Sequence, residues 1–263
     1  MTNALSPQDR AKYLASRAAL ADVTDGMKLG LGTGSTAAWL VKLVAEKCRI
    51  HGISVTCVPT SEATGALAQS LGLPLATLEE TGTLDLTIDG TDEFDPALNL
   101  IKGGGAAHLR EKIVALSSRR MVVITDATKE SPQLGSFPLP LEVLDFGMSA
   151  TVGHIRRALA SQGLGDAKIE QRMKNGAPVR TDEGNAVLDA HLGAIPDPAA
   201  LASALDGVTG LVEHGLFIGI AGKICFADLE GNALTIDKDG TRQQVVFNDG
   251  IDEDAFLARA QKG

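Results

Sequence analysis

Met27-Lys28-Leu29-Gly30-Leu31-Gly32-Thr33-Gly34-Ser35-Thr36 reads as a short apolar strand, Met27 to Leu31, running into a glycine- and hydroxyl-rich turn. A helix from Ala37 to about Lys47 follows it. Strand, tight turn, helix is the unit from which parallel sheets are built. The unit recurs along the chain. Upstream, Pro7 to Leu20 is an alanine-rich helix with Ser6 as N-cap and Pro7 at the first helical position. Downstream, Ile53 to Val58 is β-rich and ends at Pro59-Thr60-Ser61-Glu62-Ala63-Thr64, with a further helix to Ser70. Leu84 to Ile88 is a strand that feeds Asp89, Ala106 to Ser118 a helix, and Met121 to Thr125 a strand ending at Asp126.

This alternation predicts an α/β fold: a Rossmann-like parallel sheet flanked by helices, with ligand-binding groups gathered at the carboxyl ends of its strands. The texture changes at Phe137-Pro138-Leu139-Pro140, where the prolines suit an extended linker or an edge strand. Beyond it come a strand (Leu141 to Val143), helix (Ala150 to Gln162), two strands (Ala167 to Met173, Ala186 to Leu192), helix (Pro198 to Leu205) and strand (Val208 to Glu213). That βαββαβ order predicts a second, smaller α+β domain of the ferredoxin-like kind. The expected division is therefore residues 1–137 with 214–263 for the larger domain and 138–213 for the smaller. Leu216 to Ala221 and Lys223 to Ala227 are expected to return to the first sheet, and the residues from Asp252 to form a short, fraying surface helix.

Composition narrows the function classes. The 263 residues carry a formal charge of −9, which argues against a protein that coats nucleic acid. Aromatic residues make up 3%, too few for base-stacking platforms. Cys48, Cys57 and Cys225 are odd in number and widely spaced, fitting neither a disulfide framework nor a zinc knuckle. Met1 to Lys12 lacks the pattern of a signal peptide, and no apolar run reaches the roughly 18 residues of a membrane span. The expected setting is the cytoplasm, with neither nucleic acid nor membrane as partner.

Three motifs carry chemistry. Gly30-Leu31-Gly32-Thr33-Gly34-Ser35-Thr36 opens a helix, where exposed N–H groups and the helix dipole favour an anion and the hydroxyls add donors. Its glycine spacing is not the dinucleotide fingerprint, and no lysine precedes Ser35 as in a Walker loop, so the expected ligand group is a small phosphate. The bland reading is a tight turn capped by a hydroxyl. Thr60 to Thr64 is a second hydroxyl-rich turn, read first as an N-cap. Asp89-Gly90-Thr91-Asp92-Glu93 follows an apolar strand, and three readings stand for it: acid–base groups, a Mg²⁺ site, or a solvated turn. Lys102-Gly103-Gly104-Gly105 then leads to Glu111. Three glycines in a row cost considerable chain entropy to order, so a purely structural turn seldom uses them. They let backbone N–H groups approach an oxygen-rich molecule, while the lysine can stabilise developing negative charge. His108 reads as a packing or surface residue, Glu111 taken alone as an exposed helical carboxylate, and Lys129 as either a cleft residue or a solvated one.

The ordered set GLGTGSTA (from Gly30), TSEAT (from Thr60), DGTDE (from Asp89), KGGGAAHLREK (from Lys102), FPLPLEV (from Phe137), DEGNAVLD (from Asp182) and EHGLF (from Glu213) resembles ribose-5-phosphate isomerase of the A type. The resemblance runs from about Lys12 to Phe217. It implies interconversion of ribose 5-phosphate and ribulose 5-phosphate with no metal and no organic cofactor. It implies Glu111 as the base that shuttles a proton between carbons 1 and 2, Asp89 as the group assisting ring opening, and Lys102 as the charge beside the developing oxyanion. It places substrate-binding roles on Thr33, Gly34, Ser35, Thr36, Asp89, Gly90, Thr91, Asp92, Lys102, Gly103, Gly104, Gly105 and Lys129, and on Lys12. The expected partner is a small sugar phosphate, the expected assembly a homodimer or homotetramer. From about Asp228 onward the resemblance assigns nothing.

Overall fold

A computed structural model describes residues 5–260 of the chain. In chain order the elements are α1 (Pro7–Ala19), β1 (Lys28–Leu31), α2 (Ser35–His51), β2 (Thr56–Pro59), α3 (Glu62–Ser70), α4 (Leu78–Thr81), β3 (Leu86–Gly90), β4 (Glu93–Phe94), β5 (Leu100–Ile101) and α5 (His108–Leu116). There follow β6 (Met121–Asp126), β7 (Leu139–Val143), α6 (Met148–Ser161), β8 (Lys168–Gln171), β9 (Met173–Lys174), β10 (Ala177–Pro178) and β11 (Ala186–His191). The last are α7 (Pro198–Asp206), β12 (Leu211–His214), β13 (Leu216–Phe217), β14 (Ala221–Ala227), β15 (Ala233–Asp237), β16 (Arg242–Gln244) and α8 (Glu253–Ala260). The chain divides into two compact units, one formed by Met1–Gly90, Val114–Thr128 and Gly222–Gly263, the other by Thr91–Ile113 and Lys129–Ala221. Residues 1–4 and 261–263 of the expected larger domain lie outside the described residues.

The first unit holds a seven-stranded sheet in the order β16-β15-β14-β6-β3-β1-β2. Strands β2, β1, β3 and β6 are mutually parallel, and β14, β15 and β16 pair antiparallel at one side. Leu29, Leu31, Leu86, Ile88, Val122 and Ile124 are buried, as expected of parallel strands covered on both faces. Each contributes on the order of 1.5–3 kcal/mol of burial. Strand order reverses between β1 and β3. In an open parallel sheet that is the switch point, where the loops leaving the carboxyl ends diverge and open a ligand crevice. The segments at that point are the Gly32–Gly34 turn, leading into α2 at Ser35, and the end of β3 at Asp89. The C-terminal helix departs from the expected fraying element. Phe256 on α8 is buried and stacks on Tyr13 of α1, ring centroids 5.6 Å apart, because α8 is amphipathic enough to offer one aromatic anchor.

The second unit contains a four-stranded antiparallel sheet in the order β12-β7-β11-β8, with α6 and α7 packed together. This is the strand order of the split βαβ arrangement. Its core includes Leu139, Leu141, Val143, Ile155, Leu159, Leu188, Leu201 and Leu205. The unit takes in more than residues 138–213. The three-stranded sheet β13-β5-β4 draws Thr91–Ile113 into it, and Leu216 pairs with Ile101 there instead of returning to the large sheet. The proline stretch is a second departure. Pro140 lies in β7, an inner strand, where it pairs with Asp189 and its carbonyl accepts from Gly215 N–H at 2.8 Å. A proline near a strand's start can keep its acceptor even though it brings no donor.

Candidate active site

In the first unit the candidate site residues stand in the turn after β1, at the start of α2 and at the end of β3, with Lys12 on α1. Gly32 N–H donates to Ile88 O at 3.0 Å, and Thr33 N–H donates to Asp89 Oδ1 at 3.0 Å, so the turn after β1 is tied across the switch point to the end of β3. Gly90 N–H also donates to Asp89 Oδ1, at 2.7 Å, and Asp89 is fully buried. Gly32 has a steric reason to be glycine: a Cβ there would stand 2.0 Å from Asp89 Oδ1. Helix α2 begins at Ser35, two residues earlier than the sequence suggested. Its N-cap is Gly34, and no side chain caps it. The first N–H groups of a 17-residue helix therefore face the exposed Gly34-Ser35 turn, the arrangement that takes a small anion. The Thr33 hydroxyl meets Thr60 Oγ1 at 2.7 Å, and Thr64 Oγ1 donates to Gly32 O at 2.9 Å. Ser61 accepts from Thr64 N–H as the N-cap of α3, so the second hydroxyl-rich turn both caps a helix and braces the first turn. Lys12, on α1, is half-buried with Nζ 3.9 Å from Asp9; its carbonyl and that of Thr36 both accept from Ser16 Oγ.

In the second unit Lys102 and Glu111 form an ion pair, Nζ to Oε2 3.3 Å, with side chains 2% and 5% exposed. An exposed helical carboxylate was the bland expectation for Glu111, and burial removes it. Removing one member of such a pair strands the other's charge in a poorly solvated place, at about 3–5 kcal/mol. Lys102 N–H donates to Gly215 O at 2.9 Å, and its ammonium lies 5.4 Å from the centre of the Phe217 ring, so β13 helps to set the lysine. Gly103 has φ +107, and a Cβ there would meet His108 Nδ1 at 2.7 Å. Gly104 and Gly105 are exposed, and Gly104 N–H donates to Asp92 Oδ2 at 2.7 Å. Thr91 Oγ1 donates to the carbonyls of Glu93 and Ile101, at 2.8 and 3.0 Å. His108 is a packing residue: it is fully buried, and burial pushes it down to about 3. Its Nε2 lies 3.3 Å from Glu213 O, which can only accept, so the neutral ring carries its proton there.

The three acids of the Asp89–Glu93 motif part company. Asp89 serves the turn after β1 and Asp92 the glycine loop. Glu93 clamps a different turn, accepting from Gly135 N–H, Phe137 N–H and the Ser136 hydroxyl at 2.9, 3.1 and 2.5 Å. Burial opposes ionisation of Glu93, but these donors outweigh it and hold the carboxyl below its usual range.

Similarity to known proteins fits this arrangement. The model of the family described as ribose 5-phosphate isomerase A (phosphoriboisomerase A) matches residues 56–231. The chain belongs to that family. Ribose-5-phosphate isomerase A of Methylorubrum extorquens is 53% identical over 225 residues, 86% of this chain and 95% of that one. Its counterpart from Dinoroseobacter shibae is 50% identical over 232 residues, 88% and 89% of the two chains. Among solved structures, ribose 5-phosphate isomerase from Plasmodium falciparum superposes with a TM-score of 0.82 at 34% identity, covering 87% of this chain and 98% of that one. A D-ribose-5-phosphate isomerase in complex with phospho-erythronic acid gives 0.80 at 36% identity, covering 88% and 99%.

Two residues near the glycine loop of this isomerase-family chain escaped the sequence reading. Arg172 Nη1 donates to the carbonyls of Gly103 and Gly104, at 2.7 and 3.1 Å, while its Nε donates to Asp189 Oδ2 at 2.9 Å. It follows Gly103 by 69 residues, and no local pattern marks it. Phe217 stood in a motif quoted for the resemblance, yet its ring's place against Lys102 and Lys112 follows only from the pairing of β13 with β5. Lys129 ends a short 3₁₀ turn, and its ammonium lies 6.0 Å from the Phe137 ring. Among the described residues no helix is long and apolar enough to cross a membrane.

Proposed function

We propose that this chain interconverts ribose 5-phosphate and ribulose 5-phosphate, with Glu111 as the base, Lys102 as the electrostatic partner of the developing oxyanion and Asp89 as the group that assists ring opening. The observation that carries the reading is the buried Lys102–Glu111 pair, 3.3 Å apart beside three consecutive glycines. A proton next to a sugar carbonyl is weakly acidic. Its removal needs a base within reach and positive charge where the carbonyl oxygen becomes an oxyanion. Glu111 takes the proton from carbon 2 of the open-chain aldose and returns it to carbon 1, through an enediolate. Lys102, with help from N–H groups of the glycine loop, faces the oxygens as charge moves onto them. The uncapped start of α2, with Ser35 and Thr36, holds the phosphate, and this anchor contributes by orientation. Thr33, Gly90, Thr91, Asp92, Lys129 and Lys12 complete the substrate contacts in this proposal. It extends to a homodimer or homotetramer that acts in the cytoplasm without metal or organic cofactor.

Ketose formation from ribose 5-phosphate in a chelating buffer, with arabinose 5-phosphate and ribose as controls, tests the reading. We expect turnover of ribose 5-phosphate to survive chelation. Glu111→Gln should lower kcat by about a thousandfold, in the range usual for loss of a general base, while KM stays within about tenfold. Near-normal turnover in that variant would remove Glu111 from the role.

A further inference from the structure

Glu142 lies within β7 with no surface exposed to solvent. Its Oε1 accepts from Thr181 Oγ1 at 2.9 Å and from Asn185 Nδ2 at 2.8 Å, whereas Oε2 has no hydrogen-bond partner among the described residues. Buried carboxyl oxygens without a donor are rare in folded proteins, because desolvation then goes uncompensated. Burial also pushes this carboxyl above its usual range, against the two hydrogen bonds. Beside Glu142 is a cavity of about 10 Å³, close to the room that one water molecule requires. It is lined by Ala106, Ala107, Leu109 and Arg110 on one side and by Thr181, Asp182 and Glu183 on the other.

The first of those walls is the entry to α5. Ala106 and Ala107 immediately precede His108, the helix's first residue, and Glu111 stands in its first turn. Ala106 has φ +60, in the left-handed region that a residue with a Cβ adopts at a cost. Such a residue persists only where its surroundings hold it. On the outer side, Arg110 donates to Glu183 Oε1 at 2.6 Å and to Asp182 Oδ2 at 3.2 Å, but these ion pairs are partly exposed and hold weakly. They lead to the same 181–185 turn whose Thr181 and Asn185 grip Glu142. Glu142 lines the same cavity as Ala106 and Ala107, as does Thr181. The first N–H groups of a helix have no partner within it, and a carboxyl group nearby is favourably placed.

We propose that Glu142 is a positioning residue for the isomerisation: a single water in this cavity joins its Oε2 to the backbone of the Ala106–Ala107 turn and fixes the first turn of α5, where Glu111 stands. The inference rests on Glu111 being the base. Glu142→Leu removes both carboxyl oxygens, and kcat for ribose 5-phosphate should fall at least about tenfold while KM stays within about threefold, since orientation of the base acts on turnover. Glu142→Gln keeps the acceptor for Thr181 and Asn185 and offers the water a donor, so kcat should stay within about threefold. Glycine adopts the left-handed turn unaided, so Ala106→Gly combined with Glu142→Leu should restore kcat to within about threefold of Ala106→Gly alone. Thermal melting and circular dichroism on every variant show whether each is folded. Normal turnover in Glu142→Leu overturns the inference, as does a loss that Ala106→Gly fails to relieve. If neither Glu142 variant folds, the residue serves the fold at large and the inference is equally overturned. Glu111→Gln, assayed alongside, separates the two claims: if it retains turnover, the base assignment has failed, and if it is inactive while Glu142→Leu is normal, only the positioning role has.

Discussion

Because burial pushes His108 down to about 3, the folded protein keeps this ring neutral at pH values where an unfolded chain, with an ordinary histidine near 6.5, would protonate it. The sign follows directly. Above pH 6.5 neither state binds the proton and the folded state bears no penalty. As pH falls from 6.5 toward 3 the unfolded state binds one more proton than the folded state, and stability declines by at most about 1.4 kcal/mol per pH unit. Below pH 3 both states are protonated and the decline from this group stops. His108→Gln cannot titrate, and its amide retains a donor for Glu213 O. Urea unfolding at pH 7 and pH 5 should therefore show the loss on acidification shrink by about 2 kcal/mol in the variant. Equal losses in the two proteins would mean that His108 protonates without unfolding the chain around it.

At the level of elements, the meeting of β1 and β3 is the most constrained point in the first unit. A Cβ on Gly32 would fall 2.0 Å from Asp89 Oδ1 and 2.5 Å from its Cα, so neither rotation of the side chain nor a small shift relieves it. We expect Gly32→Ala to destabilise the protein by about 1–3 kcal/mol, as overpacking does. Turnover of ribose 5-phosphate should fall about a hundredfold, through displacement of the turn after β1, where the proposed function places the phosphate, relative to Asp89. Chemical denaturation and steady-state kinetics check the two parts, and a fully active variant would show that the turn tolerates displacement. Much of this was readable beforehand, because apolar strand, glycine turn and helix are local signals. The helix boundaries were less so. Helix α2 starts at Ser35 because Gly34 serves as its cap, and α5 starts at His108, two residues late, because Ala106 turns left-handed. Neither fact is written in periodicity. The pairing of β13 with β5, more than a hundred residues apart, belongs to the same class, as does the reach of Arg172 to the glycine loop. Lys102, Glu111 and the glycines were visible as residue types in one short stretch, whereas the burial of Lys102 and Glu111, and the diversion of Glu93 to the 135–137 turn, depended on distant partners.

For the molecule as a whole, the residues beyond Asp228 are the part to which the resemblance assigned nothing, and they are firmly built in. The family model stops at residue 231, and the two solved isomerases named above cover 87% and 88% of this chain while nearly all of their own length is matched. Beyond that point β15 and β16 extend the large sheet, and the segment leading to α8 returns to α1. Its polar anchor is Arg17, whose side chain is 8% exposed. The guanidinium donates through Nε and Nη2 to both oxygens of Asp249, at 2.7 and 2.8 Å, to Ile251 O at 2.9 Å and to the Tyr13 hydroxyl at 3.1 Å. A fork-to-fork pair of this kind is among the stronger charged contacts, and losing one member leaves a nearly buried cation with too few acceptors. Asp249→Ala should therefore cost about 3–5 kcal/mol, which in a chain of this size lowers Tm by on the order of 10 °C. Arg17→Met with Asp249→Ala removes the stranded charge as well and should recover at least half of that loss, because an apolar side chain of similar length fills the space at little penalty. Scanning calorimetry on the single and double variants decides it. A single variant that melts with the parent protein would show that Ile251 O, Tyr13 and Glu253 suffice to hold Arg17, and that the C-terminal segment is fastened chiefly by Phe256 against Tyr13 of α1 and Trp39 of α2.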